Sequence, residues 1–564
     1  MVKKLLSMIH KEWSGITEAA FLLAGFAFLS QILGLIRDRS FAHVLGASGS
    51  LDVYYASFRI PDLLFNSVST MVSITVLLPF VIDRLKGDET NVSEARNFLS
   101  QVFSGFLALM AVVSVVLFVL MPDIAPFIAP GFDALQLQEL VLTSRMMLFS
   151  PIFLGLSNLF GTVTQLYRKF FVYALAPVLY NAGIILGIYM FYPSMGVVGL
   201  GIGVVIGAVF HMLIQLPVLF SHSFTPRVVP TLDKKLLKEV VMLSLPRTLG
   251  LSLNSLALLV LIAIASMMDE GSISIFSLAY NLQAVPISII GVSYSVAAFP
   301  TLAKAFSLGR LDEFRHSIMT SMRQIIFWSM PVVALFIVLR AQIVRVILGT
   351  GRFTWDDTRL TAASLALFAI SVVAQSLIVL ITRGYYAAGK TKRPVVINII
   401  FTLSEIAFAF FFLHLYDNAP LFSHFVDALL RVDGIEGTRI LMLPLGYACG
   451  IIINAFALWI MFRKDYFSEV KTYIKRVGFE SIASSLILGF VTYKSLSIFD
   501  DVVDINTFWG IFVQGFLSGI LGLIAWAGVL YLLKSKELAE VASALHKKFW
   551  KQAVVVPDQT TESL

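Results

Sequence analysis

The most constraining feature of the sequence is a succession of fourteen long apolar runs, separated by short stretches where charge, Pro or Gly collects. They lie near residues 18–45, 51–82, 97–121, 137–166, 170–191, 196–220, 240–267, 271–303, 314–339, 358–387, 394–415, 439–462, 478–498 and 507–533. A helix needs about 20 mostly apolar residues to cross a bilayer, and each run meets that length. The runs are rich in Leu, Ile, Phe and Gly and lack period-2 alternation, which selects helices over a β-barrel. Only 14% of residues are charged, against about 25% in globular domains. No stretch supplies the polar surface that several soluble domains would need. The net charge of +7 does not indicate a nucleic-acid binder, because the basic residues sit in short clusters between apolar runs. Cys449, the only cysteine, lies inside an apolar run, which excludes a disulfide-stapled secreted fold. The chain reads as an all-α integral membrane protein with about 14 transmembrane helices.

Lys and Arg set its orientation, since they accumulate on the cytoplasmic side. With the N-terminus inside, the inner loops and ends hold 29 basic residues and the outer loops seven: Arg340, Arg345, Arg352, Arg359, Arg431, Arg439 and Lys494. This bias implies an even number of spans, with both termini cytoplasmic. The stretch behind residues 1–15 is too long for a cleavable signal and lacks a small-residue cleavage site. Residues 416–438 form the one sizeable outer insertion, and residues 537–550 have the spacing of an amphipathic surface helix or of a solvated tail.

An internal repeat divides the chain. Tyr167-Arg168-Lys169 leads to Pro177-Val178-Leu179-Tyr180-Asn181, and Tyr386 with Lys390, Lys392 and Arg393 leads to Pro394-Val395-Val396-Ile397-Asn398. Pro130-Gly131-Phe132 and Gly351-Arg352-Phe353 occupy matching outer loops. Six spans separate the copies, so they share one orientation: a parallel repeat with a site expected at the interface of two lobes. The expected organisation is an N-terminal lobe (1–230, spans one to six), a C-terminal lobe (231–465, spans seven to twelve), two extra helices (466–533) and an amphipathic cytoplasmic tail (534–564).

Six basic residues fall within spans: Arg37, Arg39, Arg59, Arg145, Arg247 and Arg323. An Arg at mid-membrane costs about 2.5–3.5 kcal/mol even on the lenient insertion scale, so such residues point to function. Arg37-Asp38-Arg39, then Asp52, Arg59 and Asp62, concentrate charge in spans one and two. Facing the lobe interface they would make a mildly cationic, water-filled site, and arginine's planar fork suits a diphosphate. The alternative is a span ending at Ile36 with a snorkelling flank. Arg145 and Arg323 lie near span ends, where snorkelling suffices. Arg247 follows Pro246, at a break that can line a cavity. Glu405 could hold a coupling cation or proton, or pair with a polar neighbour such as Asn398.

Enzyme and metal signals are poor. There is no GxxxxGK[ST] loop and no HExxH helix, the eight His are scattered, and Asp356-Asp357 sits where a helix cap for span ten is expected. No catalytic residue, metal or cofactor is expected.

Several segments resemble one family. Ser30-Gln31-Ile32-Leu33-Gly34-Leu35-Ile36-Arg37-Asp38, Leu45-Gly46-Ala47, Asp52 and Phe58-Arg59-Ile60-Pro61 are similar to the opening of the MurJ/MviN lipid II flippases. So are Ala129-Pro130-Gly131-Phe132, Ala176-Pro177-Val178-Leu179-Tyr180-Asn181, Phe299-Pro300-Thr301-Leu302 and Arg383-Gly384-Tyr385-Tyr386-Ala387-Ala388-Gly389. The resemblance runs from about residue 20 to 460. It implies the fold of the multidrug/oligosaccharidyl-lipid/polysaccharide exporters, two six-helix lobes in parallel pseudo-repeat plus two C-terminal helices that line a lipid-tail groove. It implies lipid II, a polyprenyl-diphosphate-linked peptidoglycan precursor, as cargo, and the bacterial inner membrane as location. By position, Arg37 matches a cavity arginine and Asp52 an acidic residue at the outer end of span two. Gln31, Phe65 and Asn281 stand where the family has three further arginines, and Arg39, Arg59 and Arg247 are the residues expected to restore that charge.

The expected substrate-binding set is therefore Gln31, Arg37, Asp38, Arg39, Asp52, Arg59, Asp62, Arg247 and Asn281. The headgroup would enter an inward-open cavity and leave outward by rocking of the lobes, the chain acting as a monomer among membrane lipids. An ion gradient, the membrane potential or product removal would drive it. The alternatives are a small-molecule or other lipid-linked oligosaccharide exporter of the same superfamily, and an integral-membrane transferase, for which the loops are too short to build an acidic catalytic site.

Overall fold

The computed structural model describes residues 16–85, 92–467 and 474–550. Lys3, Lys4, Lys11, Lys86 and Lys471 of the charge count, and the tail beyond residue 550, lie outside them, as does the side chain of Arg247. Among the described residues every regular element is helical. Among the described residues eleven helices are long and apolar enough to cross a membrane, and two bent pairs raise the number to 13. The helix Ile16–Val44, span one of the expected order, is 29 residues long and carries Arg37-Asp38-Arg39 near its C-terminal end, which is the outer end in the orientation expected from the charge bias.

Hydroxyl back-bonds lie beside the bends of both bent spans. Span two is Gly49–Ser67 followed by Ser69–Leu85, and span ten is Trp355–Ala369 followed by Val372–Ala387, each pair meeting at 43°. No proline sits at either break. Thr70 Oγ1 donates to the Asn66 carbonyl at 2.7 Å and Ser371 Oγ to that of Phe368 at 2.7 Å, side-chain bonds that compete with the backbone ladder and bend a helix. In span eight Pro286, which lacks an N–H, is followed directly by a π-helical turn, Ile287–Val292.

Within the first lobe, spans five and six meet through glycines spaced by four. A Cβ on Gly203 would lie 2.5 Å from the Gly187 Cα, and one on Gly207 would lie 2.4 Å from the Tyr180 carbonyl oxygen. In lipid no hydrophobic force holds helices together, so this close backbone approach carries the packing. Gly203→Leu should force the pair apart, costing about 2 kcal/mol or more for overpacking; a lowered melting temperature of the purified protein checks it. Gly450 plays the same part in the second lobe, where span twelve lies against Glu405.

The two loops that carry the repeat motif make corresponding contacts. The Arg352 N–H donates to the His43 carbonyl at 3.1 Å, joining the span nine–ten loop to the end of span one. Gly131 N–H donates to Ser266 Oγ at 3.2 Å, joining the span three–four loop to the end of span seven. Gly351, at φ +61, has no room for a side chain: its Cβ would stand 2.1 Å from the His43 oxygen. Spans thirteen and fourteen, Ile474–Asp500 and Phe508–Leu532, pack on span nine, with Trp526 against Phe327 at 5.0 Å and Trp328 at 6.1 Å. The helix Lys536–Trp550 is tied to the same span by Arg323, 3.7 Å from Glu537 and 3.9 Å from Glu540.

Candidate functional site: the interface between the lobes

The charged cluster of span one sits where the lobes meet. Arg37 donates through Nε and Nη2 to Asp38 Oδ1 at 2.9 and 2.8 Å, and through Nη1 to Asn181 Oδ1 of span five at 3.1 Å. Asn281 of span eight donates to Asp38 Oδ2 at 3.3 Å. One chain of polar contacts therefore runs from span five through span one to span eight, across the lobe boundary. The Arg37 side chain keeps 22% of its surface accessible while that of Asp38 keeps 4%. A guanidinium has five N–H donors, and the structure engages three, so two remain for a ligand.

Asn281, where the family resemblance leads one to expect an arginine, contacts the acidic residue as a neutral donor. Gln31 lies half-buried on the same helix as Arg37, about a turn and a half earlier. Arg59 and Asp62 are half-buried on the helix Arg59–Ser67. Arg59 donates to the Tyr55 carbonyl at 3.1 Å.

Two members of the expected set are engaged elsewhere. Arg39 turns from Arg37 and donates to the carbonyls of Val346 and Ile347, at 2.6 and 3.2 Å, with its guanidinium 5.4 Å from the Phe508 ring centroid. Those carbonyls end the helix Arg340–Ile347, and a cation at a helix C-terminus is favoured by the dipole. Asp52 is buried, with both oxygens occupied: Oδ2 accepts from Gly271 N–H at 2.7 Å, and Oδ1 from Ser274 N–H at 2.7 Å and Ser274 Oγ at 2.6 Å. It caps span eight of the opposite lobe. Glu270 returns the contact, its Oε1 accepting from Gly49 N–H at 2.7 Å at the start of span two. Each lobe thus caps a helix of the other at the outer end, placing carboxylates where helix N-termini are positive. Nearer mid-span, Asn66 donates to Ser255 Oγ at 2.8 Å and Thr70 meets Thr248 at 3.4 Å, joining span two to span seven.

Of the remaining charges, Arg145 reaches the Phe118 carbonyl at 2.8 Å and lies over that ring. Asp357 completes a capping box with Thr354 at the start of span ten. Glu405 is buried against Gly450, and Asn398 accepts from Asn454 at 3.4 Å. Among the described residues, no three His, Cys, Asp or Glu side chains converge as metal ligands would. Asn181 is a member of the network that the expected set lacks, although it marks the repeat. An Asn at mid-span, inside Pro-Val-Leu-Tyr-Asn, is the signal the sequence offers for it.

Two helical lobes, joined by a polar network that crosses their boundary, define a multi-pass helical membrane protein. The solved structure "Lipid II flippase MurJ, inward closed conformation" superposes with a TM-score of 0.71 over 91% of this chain and 99% of its own, at 22% identity. An inward-facing MATE-family multidrug transporter gives 0.61 over 78% and 95%. The family profile described as lipid II flippase MurJ matches residues 41–508, and the chain belongs to that family. The probable lipid II flippase MurJ of Bdellovibrio bacteriovorus is 26% identical over 550 residues, 95% of this chain and 98% of that one. The lipid II flippase MurJ of Burkholderia cenocepacia is 27% identical over 391 residues, 68% and 75% of the two chains.

Proposed function

We propose that this chain moves lipid II from the inner to the outer leaflet of the bacterial cytoplasmic membrane by alternating access, with both termini in the cytoplasm. Family membership supports the cargo. The observation that carries the mechanism is the Arg37–Asp38 pair, placed between the lobes and touched from both of them. A diphosphate approaching this pair takes the two free N–H donors of Arg37 and competes with Asp38 and Asn181 for the other three, which loosens the polar chain that ties the lobes together. Asn281 supplies a polar group on the same interface, Arg59 and Asp62 stand on the span-two helix that packs on span seven, and Asp52 and Arg39 act at the interface's outer rim. Substrate charge and lobe movement are thereby coupled through a single hydrogen-bond network.

The test is expression in a bacterium depleted of its own lipid II flippase, with outward-facing lipid II measured by an enzyme that cleaves lipid II and is added outside the cells. The reading expects growth and externally cleaved lipid II to return together. A well-expressed, membrane-inserted chain that restores neither overturns it.

A further inference from the structure

Three of the seven outer basic residues converge on one place. A cavity of about 560 Å³ opens at the outer end of the second lobe, between the end of span nine, the helix Arg340–Ile347, the start of span ten, the outer helix Pro420–Leu430 and span thirteen. Its charged lining residues are Arg340, Arg359 and Arg431, and no carboxylate lines it. Among the described residues none of the three has an ion-pair partner within 4 Å.

The three guanidiniums gather instead around the end of the outer helix. Arg340 donates to the carbonyls of Ile337 and Leu430 at 3.0 and 3.2 Å, and Arg359 donates twice to the Arg431 carbonyl at 3.1 and 2.6 Å. Arg431 donates to Tyr493 Oη at 2.8 Å. A helix C-terminus offers roughly half a negative charge, far short of three positive ones. Burial and the neighbouring charge of Arg431 push the Arg340 guanidinium below its ordinary value. Each guanidinium has five donors, so most of the fifteen are uncommitted. The cluster is built to receive an anion.

The walls say what kind. Ile337 and Val338 of span nine and Tyr493 and Leu496 of span thirteen line the cavity from membrane helices. Trp355 and Leu429 stand exposed at its rim, as residues of an interfacial belt do. A cationic floor with an apolar, membrane-facing wall fits an amphiphile. We propose that this cavity binds the phosphate- or diphosphate-bearing headgroup of an outer-leaflet lipid, whose chain lies along spans nine and thirteen. The proposal goes beyond lipid II movement and stands whether or not the chain carries that cargo.

The experiment is native mass spectrometry of the full chain in uncharged detergent, with phosphatidylglycerol, farnesyl diphosphate or inorganic pyrophosphate added singly. It is run with and without Arg37→Ala, so that the interface between the lobes does not confuse the count. Arg431 has φ +60, a left-handed backbone that glycine adopts without strain. Arg431→Gly therefore removes the charge while suiting the chain, and Arg359→Gln is the second variant. At least one of the two lipids should be retained in either background and lost about tenfold in each variant, as for a charge-assisted bidentate contact. Which lipid is retained separates a phosphodiester from a diphosphate headgroup. Equal retention by both variants overturns the site, and retention of pyrophosphate with neither lipid overturns the lipid.

Discussion

Asp52→Ala should loosen the outer ends of the two lobes by about 3 kcal/mol. The side chain accepts two backbone N–H bonds and one hydroxyl bond in a buried position. Charge-assisted bonds are worth roughly 1.5–3 kcal/mol each, and an orphaned buried donor costs about 1–3 kcal/mol. The Ser274 hydroxyl can turn to a new acceptor, whereas the N–H groups of Gly271 and Ser274 are fixed by the helix they open. Since 1.4 kcal/mol is a factor of ten, the closed outer end should lose about a hundredfold in relative population. Ala47, whose carbonyl packs on Gly271, is a suitable reporter: in an Ala47→Cys chain with Cys449→Ala, a membrane-impermeant maleimide should label faster once Asp52 is lost. Asp52→Asn should give most of the effect, because its amide nitrogen would set a donor against a donor. Unchanged labelling and unchanged melting temperature in both variants would refute the capping role.

How much of this is legible in the sequence depends on the range of each contact. The all-helical, many-span architecture follows from local hydropathy, and the described residues carry 11 to 13 such spans; of the cluster read around Arg37, the structure brings Asp38 to that arginine and Asn281 to Asp38. The bends in spans two and ten carry no proline, and hydroxyl back-bonding leaves almost no sequence signal. Asp52 reads as a binding residue because acidity and position are all the sequence offers; its partners lie 219 and 222 residues away. Arg39 stands two residues from Arg37 and groups with it on the page, yet a helix turns about 100° per residue. The two side chains therefore face opposite ways, and the carbonyl acceptors of Arg39 are 307 and 308 residues distant. Likewise the outer arginines count in the sequence only as exceptions to an inside bias, and the fold alone brings Arg340, Arg359 and Arg431 around one helix end.

Arg37→Ala should abolish the return of growth and of externally cleaved lipid II in the depleted bacterium. The variant removes the charged member of the interface network and, with it, the two uncommitted donors; at roughly 1.5–3 kcal/mol for each bond to a charged group, binding should fall by about a hundredfold or more. It also leaves Asp38, 4% exposed, facing only the amide of Asn281. Removing one partner of a buried ion pair costs about 3–5 kcal/mol, so the single variant mixes lost binding with lost stability. The double variant Arg37→Ala with Asp38→Asn separates them. It relieves the unpaired carboxylate and should recover expression and melting temperature while lipid II stays inside. Arg37→Lys should be intermediate, since an ammonium keeps the charge but cannot present two parallel donors to a diphosphate. Arg39→Ala, whose side chain only closes a helix end at the outer rim, should retain translocation. If the double variant exposes lipid II at the unmodified rate, Arg37 does not hold the cargo, and the transport path must be sought away from the span one cluster.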